Sequence, residues 1–356
     1  MTPPPGHNSG QASSAPNDAA IPSGYTWADY VAALVEVEGS LTAVAQKLFA
    51  RGTETDDVNS VERALRRLRS RGQRDGGSWG QRLLRAFGIP MSVEARVRWM
   101  GLYHSPFNDL PLPLCLDLLR VWDRPPVSES KARVYIQLGF ASTALRSRRF
   151  AEARTHFAAA RAVLATSHDG VALIEHSLGL AYLESSEAKE EVPALLTEAE
   201  KQLASIDIAA DERACFEARL ADQRAFADNK LRTPDGYRSA LARYQALSTE
   251  DVHPFASYRR EAGLAYGCFV LGDAPNALDH ARAAIRHAGD GGFTRLRIMG
   301  LLLEARILEG AGTLALERAH SMALRLGDEE LLSRVRRARG VSRSHSPPSF
   351  LKTSGA

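Results

Sequence analysis

The feature that most constrains this chain is a Gly or Ala that returns at nearly even intervals inside apolar, helix-like stretches. It occurs as Leu-Gly in YIQLGFAS and HSLGLAY, as Leu-Ala in ARLADQRA, as Ala-Gly in EAGLAYG and as Met-Gly in RIMGLLL. These small residues are at positions 139, 179, 221, 263 and 300, so the spacings are 40, 42, 42 and 37. A repeated period of this length indicates an architecture of stacked structural units.

A second pattern follows this ladder of small residues in several units. Aromatic, small and aliphatic residues recur at offsets of 3, 4 and 3 in RRFAEARTHFAAA, GYRSALARYQAL and DAPNALDHARAAI. These offsets place the residues on one face of a helix, where small side chains let a second helix approach closely. Each unit is therefore predicted to be a helical hairpin that buries its apolar face only by stacking on its neighbours.

The two patterns together resemble the tetratricopeptide repeat (TPR) family, which has Leu-Gly, then Ala-x-Tyr, then Ala-x3-Phe-x2-Ala. The resemblance covers roughly residues 131–326, and DEELLSRVRRARG (328–340) would be the polar helix that caps the array. The period of about 40 departs from the 34 residues of the plain repeat, as in extended TPR-like arrays of some bacterial regulators. The positions that match are Leu138, Gly139, Ala153, Phe157, Ala160, Leu178, Gly179, Tyr182, Gly263, Tyr266, Ala277 and Ala284.

The resemblance also implies a binding face, because TPR arrays typically present the first helix of each pair on a concave, ligand-holding surface. It implies a protein or peptide partner, although the Lys/Asn pattern that clamps a C-terminal carboxylate in some members is not visible. For each implied residue, an ordinary solvated position remains the alternative. Counted from the ladder, the implied concave-face residues are Arg133, His176, Glu184, Arg260, Arg297 and Glu304.

The stretch before the array predicts three short helices with a basic third one. YTWADYVAALVEVEG (25–39) places apolar residues on one face and ends at Gly39, and SLTAVAQKL follows with Ser40 as a plausible N-cap. VNSVERALRRLRSRG then places Val58, Val61, Leu65 and Leu68 on one face. This layout resembles a Fis-type helix-turn-helix over residues 25–72, but nine residues (49–57) replace the family's tight turn of 3–4 residues.

Two functions remain open for the basic third helix. From Glu62 to Arg85 there are eight Arg against two acidic residues, whereas residues 169–230 hold 14 acidic and six basic residues. The arginines could contact phosphates and base edges of double-stranded DNA, or the helix could cap the array and contact its acidic middle. The residues that would contact DNA are Arg63, Arg66, Arg67, Arg69 and Arg71.

The remaining sequence gives boundaries and exclusions. Residues 78–126 predict a helical connector, in which Pro pairs bracket the helix LCLDLLRVW. Residues 1–24 have neither a basic start nor an apolar core, so we expect a disordered tail rather than a signal peptide, and we expect a second tail over 341–356. No apolar run approaches the roughly 20 residues that span a bilayer, which predicts no membrane partner.

No catalytic motif of a familiar class is present. The sequence has no HExxH, GxSxG, Walker or GxGxxG pattern, so we predict no enzymatic activity and no cofactor. Its three cysteines are far apart and form no CxxC, which argues against a metal or disulfide framework and fits the cytoplasm.

The sequence therefore predicts an all-α protein of two domains. A helical domain over residues 25–126, with a helix-turn-helix-like core at 25–72, precedes a right-handed TPR-like superhelix at 131–340. We expect a non-enzymatic protein–protein interaction protein, with a DNA-tethered regulator and a pure scaffold without DNA binding as the two alternatives.

Overall fold

The computed structural model describes residues 24–51, 57–70, 76–185, 190–249 and 253–344. Within these residues all regular secondary structure is helical and no strand occurs, which confirms the predicted all-α class. Arg71, most of the predicted N-terminal tail and residues 345–356 of the predicted C-terminal tail lie outside the described residues.

The helices follow one another with short connections, and consecutive helices pack on each other along most of the chain. Short 3-10 turns lie at Pro106–Asp109, Val127–Glu129 and Glu309–Gly312. In chain order the helices are α1 (Trp27–Glu38), α2 (Leu41–Ala50), α3 (Val58–Ser70), α4 (Gly77–Phe87), α5 (Met91–Gly101), α6 (Leu112–Trp122), α7 (Arg133–Arg146), α8 (Phe150–Ser167), α9 (Gly170–Ser185), α10 (Val192–Ser205), α11 (Ala210–Lys230), α12 (Pro234–Gln245), α13 (Pro254–Val270), α14 (Ala274–Asp290), α15 (Thr294–Leu308), α16 (Thr313–Leu326) and α17 (Glu329–Ser344).

Helices α1–α4 surround one small hydrophobic core. A capping box between Thr26 and Asp29 begins α1, and Gly39 ends it at a φ of 85°, which a residue with a Cβ adopts only with strain. The hydroxyl of Ser40 accepts the Ala43 N–H and caps α2, as the sequence predicts. The buried residues of this core are Trp27, Tyr30, Val31, Leu34, Val44, Ala45, Leu48, Val61, Leu65, Leu68 and Leu83.

The second core begins earlier than the predicted domain boundary at 126–131. It runs from Val93 to Leu220 and therefore includes α5 and α6 together with α7–α11. Helices α5 and α7 approach closely, since a Cβ on Gly101 would lie 2.5 Å from the carbonyl oxygen of Tyr135. The α5 and α6 part of the connector is thus packed with the array, whereas α4 belongs to the core that it shares with α1–α3.

The ladder glycines lie where a first helix meets the second helix of the preceding pair. A Cβ on Gly179 would lie 2.6 Å from the Phe157 ring, and one on Gly300 would lie 2.8 Å from Ile285. Most of the alanines predicted on the second helices, such as Ala281, are fully buried, whereas Ala274 at the start of α14 is exposed. Small residues on both sides therefore set the distance between successive pairs.

Helix α17 closes the far end of the array. It packs Leu331, Leu332 and Val335 on α15 and α16 and turns charged residues outward, in agreement with the predicted capping helix. The helix continues to Ser344, so the first residues of the predicted tail 341–356 are helical instead.

Candidate functional site

The described arginines predicted to contact DNA lie on one exposed face of α3. Arg63, Arg66, Arg67 and Arg69 are all exposed, while Val61 and Leu65 on the other face are buried in the α1–α4 core. Arg66 bonds Glu62 at 2.6 Å within the same helix. Because the apolar face is already packed, this basic face is left to solvent or to a ligand.

Two of the predicted concave-face residues are buried between helices. His176 is 5% exposed, and its Nε2 lies 3.2 Å from the carbonyl oxygen of Phe157. Burial lowers the pKa of His176 to about 4, and the nearby Arg161 adds to this, so the imidazole is neutral at pH 7. Glu184 is also buried and accepts two bonds from Arg154 at 3.2 Å. Neither side chain is available to a partner.

Two further predicted residues are engaged in local ion pairs. Arg133, at the start of α7, pairs with Asp123 through an Nε–Oδ1 distance of 3.2 Å. Arg260 pairs with Glu261, which also lies 2.6 Å from the Nδ1 atom of His280. Arg297 and Glu304 lie elsewhere, in a groove described below.

The surface surrounded by the odd-numbered helices α7–α15 is filled by the chain itself. Residues 102–110, which we call the inner segment, connect α5 to α6 and contact each of these helices. Tyr103 is the centre: its N–H donates to Glu175 of α9 at 3.3 Å, and its hydroxyl accepts from Arg259 of α13 at 3.1 Å. The guanidinium of Arg219 from α11 lies 4.9 Å from the Tyr103 ring centroid, a cation–π contact.

The same segment reaches both the first and the last pairs. Asn108 accepts the hydroxyl of Ser142 on α7 at 2.7 Å. The Asp109 carboxylate accepts the Arg295 N–H at 3.0 and 3.1 Å, so it supplies the N-terminal cap of α15 from another part of the chain. The inner segment therefore fills the surface that these helices enclose.

A buried and a half-buried ion pair lie next to the inner segment. Arg219 and Glu175 form two parallel bonds, one of them 2.8 Å long, and each side chain is only 6% exposed. Arg259 pairs with Asp222 at 2.8 Å. Burial disfavours the charged guanidinium of Arg259, but Asp222 and Tyr103 outweigh this and raise its pKa above the ordinary value.

Another such pair joins the two ends of the array. Arg146 of α7 lies 3.3 Å from Asp328, which precedes α17, and Asp328 also accepts from Arg295 at 3.0 Å. Arg146 and Asp328 are 182 positions apart in the chain, and both side chains are about 5% exposed. Asp328 thus contacts α7 of the first pair as well as α15 of the last.

Sequence reasoning missed this inner polar set by one residue in two places. The inward residues are Glu175 and Arg259, whereas the prediction named His176 and Arg260, each rotated by about 100° around its helix. The sequence did carry an indication of these two residues. Glu175 and Arg259 each lie one helical turn before a ladder glycine, so they share the packed face of the helix with that glycine.

A separate groove of about 630 Å³ lies between the last helix pairs and is open to solvent. Helices α14, α15 and α16 line it; their apolar side chains form its floor, and arginines of α14 and α16 form its walls. Its apolar residues are Ile285, Leu301 and Met322, of which Leu301 belongs to the core beneath. Its polar residues are Arg282, Arg286, Arg297, Glu304, Arg318, Ser321 and Arg325.

Positive charge dominates this arginine groove, with five guanidinium groups and one carboxylate. Arg282 lies 3.2 Å from Glu304, and Arg325 bonds Ser321 in its own helix. Among the described residues, Arg286, Arg297 and Arg318 form no ion pair, and all three are exposed. The groove therefore offers charged, planar donors that are not committed to the fold.

The groove is on the outer side of α15. At about 100° per residue, Leu301 and Glu304 lie on roughly the opposite side of the helix from Arg295, which faces the inner segment. Sequence analysis named Arg297 and Glu304 but assigned them to the concave face. The arginines of the groove walls were not predicted. The sequence does carry an indication of them, because the spacing of four between Arg282 and Arg286 and of seven between Arg318 and Arg325 places each pair on one helix face.

Two other kinds of site are absent from the described part of the chain. No group of three or more His, Cys, Asp or Glu side chains there could hold a metal ion. No described helix combines the length and apolarity needed to cross a bilayer.

No protein family matches this sequence, and none of the curated proteins compared with it is significantly similar.

Proposed function

We propose that this protein is a non-enzymatic interaction protein whose array of helix pairs binds a protein or peptide partner at the arginine groove. The observation that carries this proposal is the contrast between two surfaces. The inner face is filled by residues 102–110, whereas the groove on the outer side of α15 is open and holds three unpaired arginines, Arg286, Arg297 and Arg318. An open concave surface with convergent donors is the usual form of a recognition site.

A TPR-like arrangement of the array is part of the proposal. The ladder glycines pack against the preceding pair, which supports this assignment. The three cysteines carry free thiols, which supports a reducing compartment such as the cytoplasm.

The proposal is tested by selecting a random peptide library on the full chain and on a variant with Arg286→Glu, Arg297→Glu and Arg318→Glu. We expect selected peptides that bind the wild-type chain and lose binding on the variant, because the three side chains are exposed and their replacement leaves the core intact. Peptides that bind both chains equally, or a selection that yields no binder, would reject the groove as the partner site.

A second candidate function is DNA binding by the N-terminal unit, and the exposed arginine face of α3 favours it. This would make the protein a DNA-tethered regulator; without it the protein is a scaffold. Helices α1 and α2 pack against the apolar side of α3 and hold the basic side outward. Such a face can supply contacts to DNA phosphates, whose contribution to binding affinity falls as the salt concentration rises.

We expect the double variant Arg66→Ala, Arg67→Ala to bind a random DNA duplex about tenfold more weakly at low salt. The slope of log affinity against log salt concentration should fall by the equivalent of about two phosphate contacts. Fluorescence anisotropy of the full chain at two salt concentrations measures this, and thermal unfolding should not change, since both residues are exposed. The groove variant above is the matched control and should retain DNA binding. Unchanged binding by the α3 variant would assign this helix a structural role only.

A further inference from the structure

We propose that the arginine groove recognises an acidic amphipathic segment of a partner protein, in which Asp or Glu residues flank an apolar anchor. This inference rests on the proposed function and specifies the chemistry of the partner.

The walls select negative charge. Guanidinium groups come from both sides, Arg286 on α14 and Arg318 on α16, with Arg297 between them on α15. These cations repel one another in the free protein, because Glu304 is the one carboxylate in the groove lining and cannot neutralise them all. A carboxylate entering the groove relieves this repulsion and can accept two parallel bonds from one guanidinium.

The floor selects an apolar side chain. Ile285 and Met322 are half-buried and Leu301 is buried, so together they form an aliphatic strip below the arginines. Methionine adapts its shape to different apolar ligands, which suits a peptide anchor such as Leu or Met. An apolar side chain that covers this strip contributes hydrophobic free energy to binding, which a simple anion does not.

The floor also favours a peptide over a nucleic acid. Single-stranded nucleic acids stack their bases on aromatic rings, and the groove lining contains none. Glu304 lies among the arginines and would repel a continuous phosphate backbone, whereas a peptide can place its carboxylates on either side of it. A volume of about 630 Å³ admits several side chains of one segment but not a folded domain.

The test uses fluorescence anisotropy of the full chain with a labelled helical peptide of about 15 residues, which carries Leu at i, i+3, i+4 and i+7 and Glu or Asp between them. Two control peptides have the same length. One replaces Glu and Asp by Gln and Asn, and the other replaces Leu by Ser. We expect each control to bind at least about tenfold more weakly than the parent peptide, because charge and apolar contact contribute together.

Matched protein variants locate the binding. The variant with Arg286→Glu, Arg297→Glu and Arg318→Glu should lose at least about tenfold in affinity. A control with Arg124→Glu, Arg161→Glu and Arg336→Glu makes the same change in net charge at exposed positions outside the groove and should bind as the wild type does. Met322→Ser, which removes part of the floor, should weaken binding several-fold while the arginines remain.

Each other outcome overturns the inference in a recognisable way. Equal loss in both triple variants would show long-range attraction rather than a groove site. Tighter binding of a labelled single-stranded oligonucleotide, lost in the groove variant, would replace the peptide by a nucleic acid. Occupation of the groove by a second copy of the chain would appear as a concentration-dependent mass increase that the groove variant abolishes. If the peptide library yields neutral binders that depend on the groove, the proposed function stands and only the acidic specificity fails.

Discussion

Glu175→Ala is expected to lower the free energy of unfolding by about 3–5 kcal/mol, which is the usual cost of removing one partner of a buried ion pair. The variant leaves the Arg219 guanidinium, with its side chain 6% exposed, without its two carboxylate bonds. It also removes the acceptor of the Tyr103 N–H, so the inner segment loses a contact to α9. Equilibrium denaturation by urea, followed by circular dichroism, measures the change.

Two comparisons make this result specific. Glu200→Ala removes the partner of Arg224 at an exposed site and should change the free energy of unfolding by less than about 1 kcal/mol. The double variant Glu175→Met, Arg219→Met buries no unpaired charge and should recover part of the lost stability. If Glu175→Ala costs no more than Glu200→Ala, the pair does not hold the inner segment in place.

Gly263→Leu is expected to destabilise the array by about 3 kcal/mol or more, near or above the upper end of the usual cost of overpacking. Any Cβ at position 263 would overlap the ring of Tyr244 on the preceding helix α12. That ring cannot move aside easily, because its hydroxyl donates to Asp222 at 2.9 Å and Asp222 is paired with Arg259. The overlap outweighs the gain of about 1 kcal/mol that replacing Gly within a helix would bring.

Gly289→Leu is the matched control for this substitution. Gly289 is in α14, where an added Cβ would meet open space, so the variant should be neutral or slightly stabilised. Adding Tyr244→Ala to Gly263→Leu should cost less than the sum of the two single changes, since the smaller side chain frees the space that Leu needs. A Gly263→Leu protein as stable as the wild type would show that the ladder glycines do not mark the contacts between pairs.

Much of the fold could be predicted from local pattern. The positions of α1 and α2 follow from Ser40, Gly39 and the apolar spacing around them, because caps and amphipathic faces act over a few residues. The alanines of the second helices and the glycines of the first helices were predicted for the same reason. The division into cores was not, since α5 could pack toward either side; the structure places Val97 and Met100 in the core of the array and Gly101 against Tyr135.

The candidate site was predicted only in part. Arg297 and Glu304 were named for the concave face, but in the structure they line the groove, about 180–200° around α15 from Arg295, which faces the inner segment. The wall arginines Arg286 and Arg318 belong to α14 and α16. Their convergence depends on how three helices pack and not on any local spacing.

The sequence by itself determined the all-helical class and the repeated contacts, since these depend on periodicity and residue size within a few turns. The tertiary structure decided which surface is open. The inner segment contacts helices at residues that lie from 34 to 186 positions farther along the chain, for example Ser142 at Asn108 and Arg295 at Asp109. Contacts of such separation leave no periodic trace in a sequence, so only the packed chain reveals that the inner face is filled and the arginine groove is open.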